Sequence, residues 1–143
     1  MEEILELKEF LLKGDVKSAL IIAEEIEEMS KKDIINNIRS FAIILLLHLI
    51  KQHAEKRTTK SWDVSIRNSV RDIQELNDRP KSKGFYLNSE ELQTILIKAY
   101  SYALDKAALE VCEGIYDVSE LAEIVNQDAI IATALNLILA PEN

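Results

Sequence analysis

Residues that interrupt helices are scarce in this chain. Its 143 residues include three Gly and two Pro, and the sequence contains no Asn-Gly or Asp-Gly pair of the kind that favours a β-hairpin turn. No segment alternates apolar and polar residues as a half-buried strand does. With 48% hydrophobic residues the chain can bury a substantial core. The sequence therefore predicts an all-α fold, a compact single-domain bundle (residues 1–143) of five main helices and one or two short C-terminal helices.

Cysteine and targeting signals are nearly absent as well. The single Cys112 cannot form an internal disulfide, and its apolar surroundings favour the role of a small buried hydrophobe. The chain does not open with a charged segment followed by a short apolar core, so we expect no secretion signal. The longest apolar run, residues 41–50, is shorter than the roughly 20 residues of a membrane span. We expect a soluble cytoplasmic protein.

The chain has fewer basic than acidic residues. Seventeen Lys and Arg face 25 Asp and Glu, for a formal net charge of −8, which disfavours nucleic acid and anionic membranes as partners. The basic residues within 51–60 form too small a patch to reverse this. Phosphate-loop, zinc and dinucleotide patterns are all missing, so no cofactor is expected. A protein partner or self-association remains the expected kind of interaction.

The apolar run from Phe41 to Ile50 is the segment around which the other helices are expected to pack. Ten nearly unbroken apolar positions leave no polar side for a surface helix. The clearest loop is the polar segment 77–84. Helical spacing of apolar residues predicts helices over 3–12, 16–28, 31–54, 61–77, 89–112, 118–126 and 129–139.

Several helix boundaries carry local signals. Gly14 is placed to end the first helix in the left-handed conformation. Asn88 with Glu91, and Asp117 with Glu120, have the spacing of capping boxes. The residues predicted to cap or begin helices are Asp15, Ser30, Ser61, Asn88, Asp117 and Asp128.

Glutamates and histidines are the candidates for a metal site. Glu24 with Glu27 or Glu28 could present two carboxylates on one side of a helix, as in di-metal helical bundles. Those bundles also use a Glu-x-x-His motif, which this chain lacks. His48 and His53 diverge by about 140° on a helix. We therefore predict no metal site.

His48 allows two interpretations. It shares a helical side with Phe41, Ile44 and Leu45, so it is expected to be buried or half-buried. A neutral imidazole could satisfy a polar group in the core. The alternative is a general base paired with Glu24 or Glu28.

A second candidate site lies between residues 57 and 67. Ser61 is expected to cap a helix, and Arg57 with Arg67 could bind an anion at that helix start. The two arginines could equally pair with glutamates of the second helix, Glu27 among them, and this pairing is favoured. We predict a polar network joining the start of the fourth helix to the acidic second helix, with His48 beneath it.

The order of several short segments resembles the bacterial "domain of unknown function 29" family. The segments are Ala23–Met29 (AEEIEEM), His48–Lys51 (HLIK), Arg57, Ser61-Trp62 and Ile66-Arg67. The resemblance covers about residues 14–113, and residues 114–143 diverge from the family's usual ending. It implies a helical bundle in the cytoplasm of bacteria such as cyanobacteria, and it implies no activity.

Two functions of different classes follow. The favoured hypothesis is a non-enzymatic module that binds another protein or itself, because segments 92–111 and 129–139 hold more apolar residues than short helices need to bury. The alternative is a small hydrolase or anion-binding enzyme that uses His48 with Glu24 or Glu28, assisted by Arg57 and Arg67.

Overall fold

The computed structural model describes residues 2–79 and 84–141. Within these residues the chain forms six α-helices, one short 3₁₀ helix and no strand, so the predicted all-α class is confirmed. The chain divides into two compact units, Met1–Ile35 and Asn36–Asn143. The expected single domain stays a prediction. The helices are α1 (Glu2–Leu12), α2 (Val16–Glu55), α3 (Lys60–Asn77), α4 (Ser89–Glu110), α5 (Val118–Ile124) and α6 (Gln127–Leu139), with the 3₁₀ helix at Val111–Gly114.

Helix α2 is continuous, and the predicted break before Ser30 is wrong. The two helices expected at 16–28 and 31–54 are one helix of 40 residues. No Gly or Pro lies between Val16 and Glu55. A serine inside a helix costs less than about 1 kcal/mol relative to alanine. A capping signal therefore permits a helix start at Ser30 without forcing the preceding helix to end.

The first unit consists of α1, a short connection at Gly14 and the part of α2 up to Ile35, and we refer to these two joined helical segments as the N-terminal hairpin. Gly14 ends α1 with a φ of 77°, in the left-handed region that the sequence predicts. The Asp15 carboxylate accepts a hydrogen bond from the Ser18 backbone N–H at 3.1 Å, which confirms its predicted capping role. Ala19 is the one buried residue among residues 2–35.

The C-terminal part of α2 contributes buried residues to the second unit. The predicted central run supplies buried core residues, and Ile44 points outward with 39% of its surface exposed. Helix α4 packs against α5, α6 and the 3₁₀ helix, and α3 packs against α6. The buried residues of α2 in this unit are Ile38, Ala42, Leu45, Leu46, Leu49, Ile50 and Lys51.

Two of the predicted helix starts are confirmed in detail. At α4, the Asn88 side chain accepts from the Glu91 N–H at 2.9 Å and Glu91 accepts from the Asn88 N–H at 3.2 Å. Asp117 and Glu120 form the same reciprocal pair at α5. Both capping boxes depend only on neighbouring residues, which is why the sequence could specify them.

Other predicted boundaries need correction. Thr59, not Ser61, caps α3: its hydroxyl accepts from the Trp62 N–H at 3.1 Å. Lys56 ends α2 with a φ of 54°, and the chain is extended again at Thr59, where a cap requires it. Asn126 caps α6, so that helix begins before the predicted Asp128. Helix α4 ends at Glu110, because the following 3₁₀ helix contains residues in the left-handed conformation.

The connection between α3 and α4 is held by a buried amide. The Asn77 side-chain oxygen accepts from the Leu87 N–H at 2.8 Å, and its amide nitrogen donates to the Leu87 carbonyl at 3.2 Å. The backbone of Tyr86 also donates to the Asn77 carbonyl at 2.9 Å. The centre of the predicted loop 77–84, residues 80–83, lies outside the described residues.

Helix α2 is long and apolar enough to cross a membrane by length and composition. Its most apolar 18 residues have a mean hydropathy of 1.5, and 33% of them are buried. The bent pair α5 and α6, with 73° between its two helices, passes the same test if counted as one span. One or two such helices are weak evidence for a membrane span, because the core helix of a soluble protein passes too.

Candidate functional site

Two cations lie over the indole ring of Trp62. The Lys51 ammonium nitrogen is 4.9 Å from the ring centroid, and the central carbon of the Arg57 guanidinium is 4.7 Å from it. Trp62 itself is buried. Such contacts contribute about 0.5–1 kcal/mol each where they are partly exposed. They fix the end of α2 and the start of α3 around one aromatic side chain; we call residues 51–63 the α2–α3 corner.

Glu55 connects this corner to the 3₁₀ helix. One carboxylate oxygen accepts from Arg57 Nε at 2.9 Å and lies 2.8 Å from Arg57 Nη2. The other accepts from the Cys112 backbone N–H at 3.3 Å. Burial acts to raise the pKa of Glu55, but hydrogen bonds from Cys112 and Arg57, with the charges of Arg57 and Lys51, hold that pKa below its ordinary value of 4.5. Glu55 is therefore an ionised structural link at neutral pH.

Asp63 turns back towards the end of α2. It accepts hydrogen bonds from Thr58 Oγ1 at 2.8 Å and from Gln52 Nε2 at 3.3 Å. Gln52 also donates to the Thr58 hydroxyl at 2.7 Å. Asp63 is thus satisfied within the corner and does not pair with the arginine four residues later in α3.

The predicted arginine network takes a different form. Arg57 pairs with Glu55, and Glu27 is exposed on α2. Ser61 is exposed and caps nothing. Within residues 2–79 and 84–141 the exposed Arg67 side chain forms no hydrogen bond or ion pair. The predicted pairing with Glu27 assumed that a helix ends before Ser30, whereas Val16–Glu55 is one helix.

A pair of substitutions tests this corrected arrangement. We expect Arg57→Ala to lower the free energy of unfolding by about 1 kcal/mol, because it removes a half-exposed ion pair and a cation–π contact. Arg67→Ala should change it by no more than about 0.5 kcal/mol, as exposed substitutions usually do. Urea denaturation of both variants measures the two values. Equal losses would show that Arg67 has a partner comparable to that of Arg57.

His48 is half-buried, as predicted, and bonds to its own helix. Its Nδ1 lies 2.8 Å from the Ile44 carbonyl oxygen. A carbonyl can only accept, so Nδ1 carries the proton of this bond. Glu28 and Glu24 precede His48 by 20 and 24 residues in the same continuous helix. Side chains of one helix meet at separations of three or four, so α2 does not bring these proposed catalytic partners to His48.

Tyr100 is a buried residue whose hydroxyl could take part in proton transfer. Its hydroxyl has no hydrogen-bond partner in the described part of the chain, and 4% of the residue is exposed. Burial raises the pKa of this phenol above its ordinary value of 10.0. Tyr100 therefore stays protonated at neutral pH and cannot act there as a general base.

Three clefts open on the second unit. One, of about 460 Å³, lies where α3 ends, α4 begins and α6 ends, and there Gln74 donates to the carbonyls of Ile138 and Ala140. A groove of about 500 Å³ runs between α3 and α6 beside Arg67 and Arg71. The third, of about 350 Å³, separates α2 from α6. Among residues 2–79 and 84–141, no group of three or more His, Cys, Asp or Glu could hold a metal ion.

Helix α1, in the first unit, is unlike a core-forming helix because its apolar residues are not buried. Helix α1 has no buried residue, although six of its eleven residues are apolar. Leu12 is 88% exposed and Leu5 is 60% exposed. Residues spaced by three, four and seven share a helix side, so one exposed side carries what we call the α1 stripe: Ile4, Leu5, Lys8, Leu11 and Leu12. The adjoining part of α2 exposes Val16, Leu20, Ile21 and Met29.

Sequence reasoning placed the apolar surplus elsewhere. Most apolar residues of segments 92–111 and 129–139, from which association was predicted, are buried in the second unit. Helical spacing places Ile4, Leu7 and Leu11 on one side of α1. Leu5 and Leu12 lie seven residues apart beside that side. The helical spacing of Leu5 and Leu12 was the available signal for a wider apolar side of α1.

Comparison with protein-family models places most of the chain in a family. The family model described as "Domain of unknown function DUF29" matches residues 15–128. The match runs past the expected end near residue 113 and includes α5, while α1 precedes it. No curated protein and no solved structure matches the chain.

Proposed function

The chain belongs to the DUF29 family, and we propose that it is a soluble, non-enzymatic protein-interaction module that binds through its N-terminal hairpin. The observation that supports this proposal is the exposure of α1. Four of its apolar residues, those of the α1 stripe, lie in solvent together. Groups of exposed apolar residues on one face are typical of interaction surfaces, whereas single exposed leucines are ordinary.

The energetics favour a covered hairpin. Transfer of a leucine side chain from water to an apolar environment contributes about 1.5–3 kcal/mol. An isolated helix as short as α1, with 11 residues, is only marginally stable in water. Binding a partner against the α1 stripe would bury several leucines at once and stabilise the helix that carries them. Binding a partner would therefore stabilise the hairpin more than it would stabilise a surface with scattered apolar residues.

The test compares two sets of exposed leucines. One variant combines Leu5→Ser with Leu12→Ser in the α1 stripe; the control is Leu109→Ser, at a residue 79% exposed on α4. Self-association is measured by sedimentation velocity, and partners from a lysate of the source organism are quantified by affinity capture and mass spectrometry. Circular dichroism checks that each variant stays helical.

We expect the hairpin variant to lose self-association or captured partners by about tenfold, which corresponds to about 1.4 kcal/mol. The Leu109→Ser control should behave like the wild type. The proposal fails if all three proteins give the same species and the same captured proteins. It also fails if the control loses as much as the hairpin variant.

A further inference from the structure

The charge of the hairpin indicates the kind of partner it binds. Resting on the proposed function, we infer that the hairpin binds a basic amphipathic helix of another protein. Such a helix would place its apolar side on the α1 stripe and its Lys or Arg residues against the glutamates beside it. Grooves and helix faces that bind helices in this way recognise apolar residues at helical spacing.

Negative charge is concentrated in the first unit. Residues 2–35 contain ten Asp and Glu against five Lys, a formal charge of −5. Residues 36–143 contain 15 acidic and 12 basic residues, a formal charge of −3, although they are three-quarters of the chain. Negative charge per residue is therefore about five times as dense in the hairpin as in the rest of the chain, which favours a basic partner there.

The acidic residues stand beside the exposed leucines. Glu9 follows Leu5 by four residues and precedes Leu12 by three, and Glu2 precedes Leu5 by three, so both border the α1 stripe. On α2, Glu24 follows Leu20 by four. Glu2, Glu9 and Glu24 are exposed and form no ion pair within residues 2–79 and 84–141. Their carboxylates are available to cations from outside the chain.

Other occupants suit this surface less well. A second copy of the chain would bring two acidic hairpins together, and like charges across an interface oppose association. A membrane of anionic lipids would repel the same carboxylates, since helices that lie on such membranes carry Lys and Arg on their polar side. A helix with leucines along one side and lysines beside them satisfies both the apolar and the charged part of the surface.

Peptide binding to the full chain tests the inference. The probe is a fluorescein-labelled synthetic peptide of Leu and Lys, about five helical turns long, with leucines at helical spacing. Two comparators separate the contributions: a scrambled peptide of the same composition without an apolar side, and a peptide with Glu in place of each Lys. Fluorescence anisotropy is measured at low and at physiological salt, where the Debye length falls from about 30 Å to about 8 Å.

We expect the amphipathic Leu/Lys peptide to bind at least about tenfold more tightly than the scrambled peptide. The Leu/Glu peptide should not bind. Salt should weaken the binding. Leu5→Ser with Leu12→Ser should lower the affinity about tenfold or more. Glu2→Gln with Glu9→Gln should lower it less and reduce its salt dependence, while Leu109→Ser should leave it unchanged.

The inference would be overturned if the scrambled peptide bound as tightly as the amphipathic one. It would also be overturned if Leu109→Ser lowered the affinity as much as Leu5→Ser with Leu12→Ser does. Self-association that disappears with Leu5→Ser and Leu12→Ser would overturn it as well, because the occupant would then be a second copy. In that case the hairpin remains the interaction surface and the proposed function stands. If these two substitutions alter neither peptide binding nor any interaction in the preceding experiment, the proposed function fails as well.

Discussion

Replacing Leu45 by alanine is expected to lower the free energy of unfolding by about 2–5 kcal/mol. Leu45 is fully buried in the C-terminal part of α2, where Leu46 and Ile50 are also fully buried. Removing its outer carbons loses their transfer free energy and leaves a cavity that neighbouring helices fill only in part. Because alanine favours helix more than leucine does, the loss cannot be attributed to helix propensity.

Urea denaturation followed by Trp62 fluorescence and circular dichroism measures this effect. Ile44→Ala is the matched control, because it removes a similar side chain from the next position, where 39% of the surface is exposed. The control should cost less than about 1 kcal/mol, closer to a surface substitution than to a core one. Equal losses at the two positions, or a loss below about 1 kcal/mol for Leu45→Ala, would contradict the central position of this helix in the second unit.

The sequence was sufficient where structure depends on neighbouring residues. The run 41–50 has too few polar positions for a surface helix, and five of its ten residues are buried in the second unit. Asn88 and Asp117 begin helices because each has a glutamate three residues later that completes a capping box. These features involve at most a few residues in sequence, so pattern and propensity determine them.

Helix boundaries were predicted wrongly where the local sequence is compatible with two of them. Ser30 has the pattern of a helix start, yet the helix that contains it continues, because the segment contains no residue that breaks it. Thr59 and Ser61 could both have capped α3. The left-handed Lys56 places Thr59, not Ser61, in the extended conformation that a cap requires. Such choices depend on how the preceding helix ends, which pattern alone does not determine.

The candidate site was predicted in part for the same reason. Arg57 was predicted to take part in a polar network, and the residue with which it pairs is Glu55, two residues away. The predicted pairing with Glu27 assumed a helix break at Ser30, which α2 does not have. The α1 stripe was missed because apolar spacing shows which side of a helix is apolar and does not show whether anything covers it.

Asn77→Ala is expected to cost about 2–4 kcal/mol. The Asn77 amide satisfies both the N–H and the carbonyl of Leu87, and both residues are buried. Alanine leaves these two backbone groups without their partner, and each unsatisfied buried group costs about 1–3 kcal/mol. Asn68→Ala, at an exposed position of the same helix, is the control and should change the free energy of unfolding by no more than about 0.5 kcal/mol.

Asn77→Asp separates the two hydrogen bonds. The carboxylate keeps an acceptor for the Leu87 N–H, but its second oxygen faces the Leu87 carbonyl at the place of the amide donor. Burial and this unfavourable contact raise the folded-state pKa of the new carboxyl above its unfolded value of about 3.9. The protonated form can donate to the carbonyl. The variant's loss of unfolding free energy relative to the wild type is therefore smallest below that value and grows as the pH rises through the folded pKa.

Urea denaturation of both proteins at about pH 5 and about pH 8 measures this deficit. A deficit that is independent of pH, or an Asn77→Ala loss below about 1 kcal/mol, would mean that this amide does not hold the connection between α3 and α4.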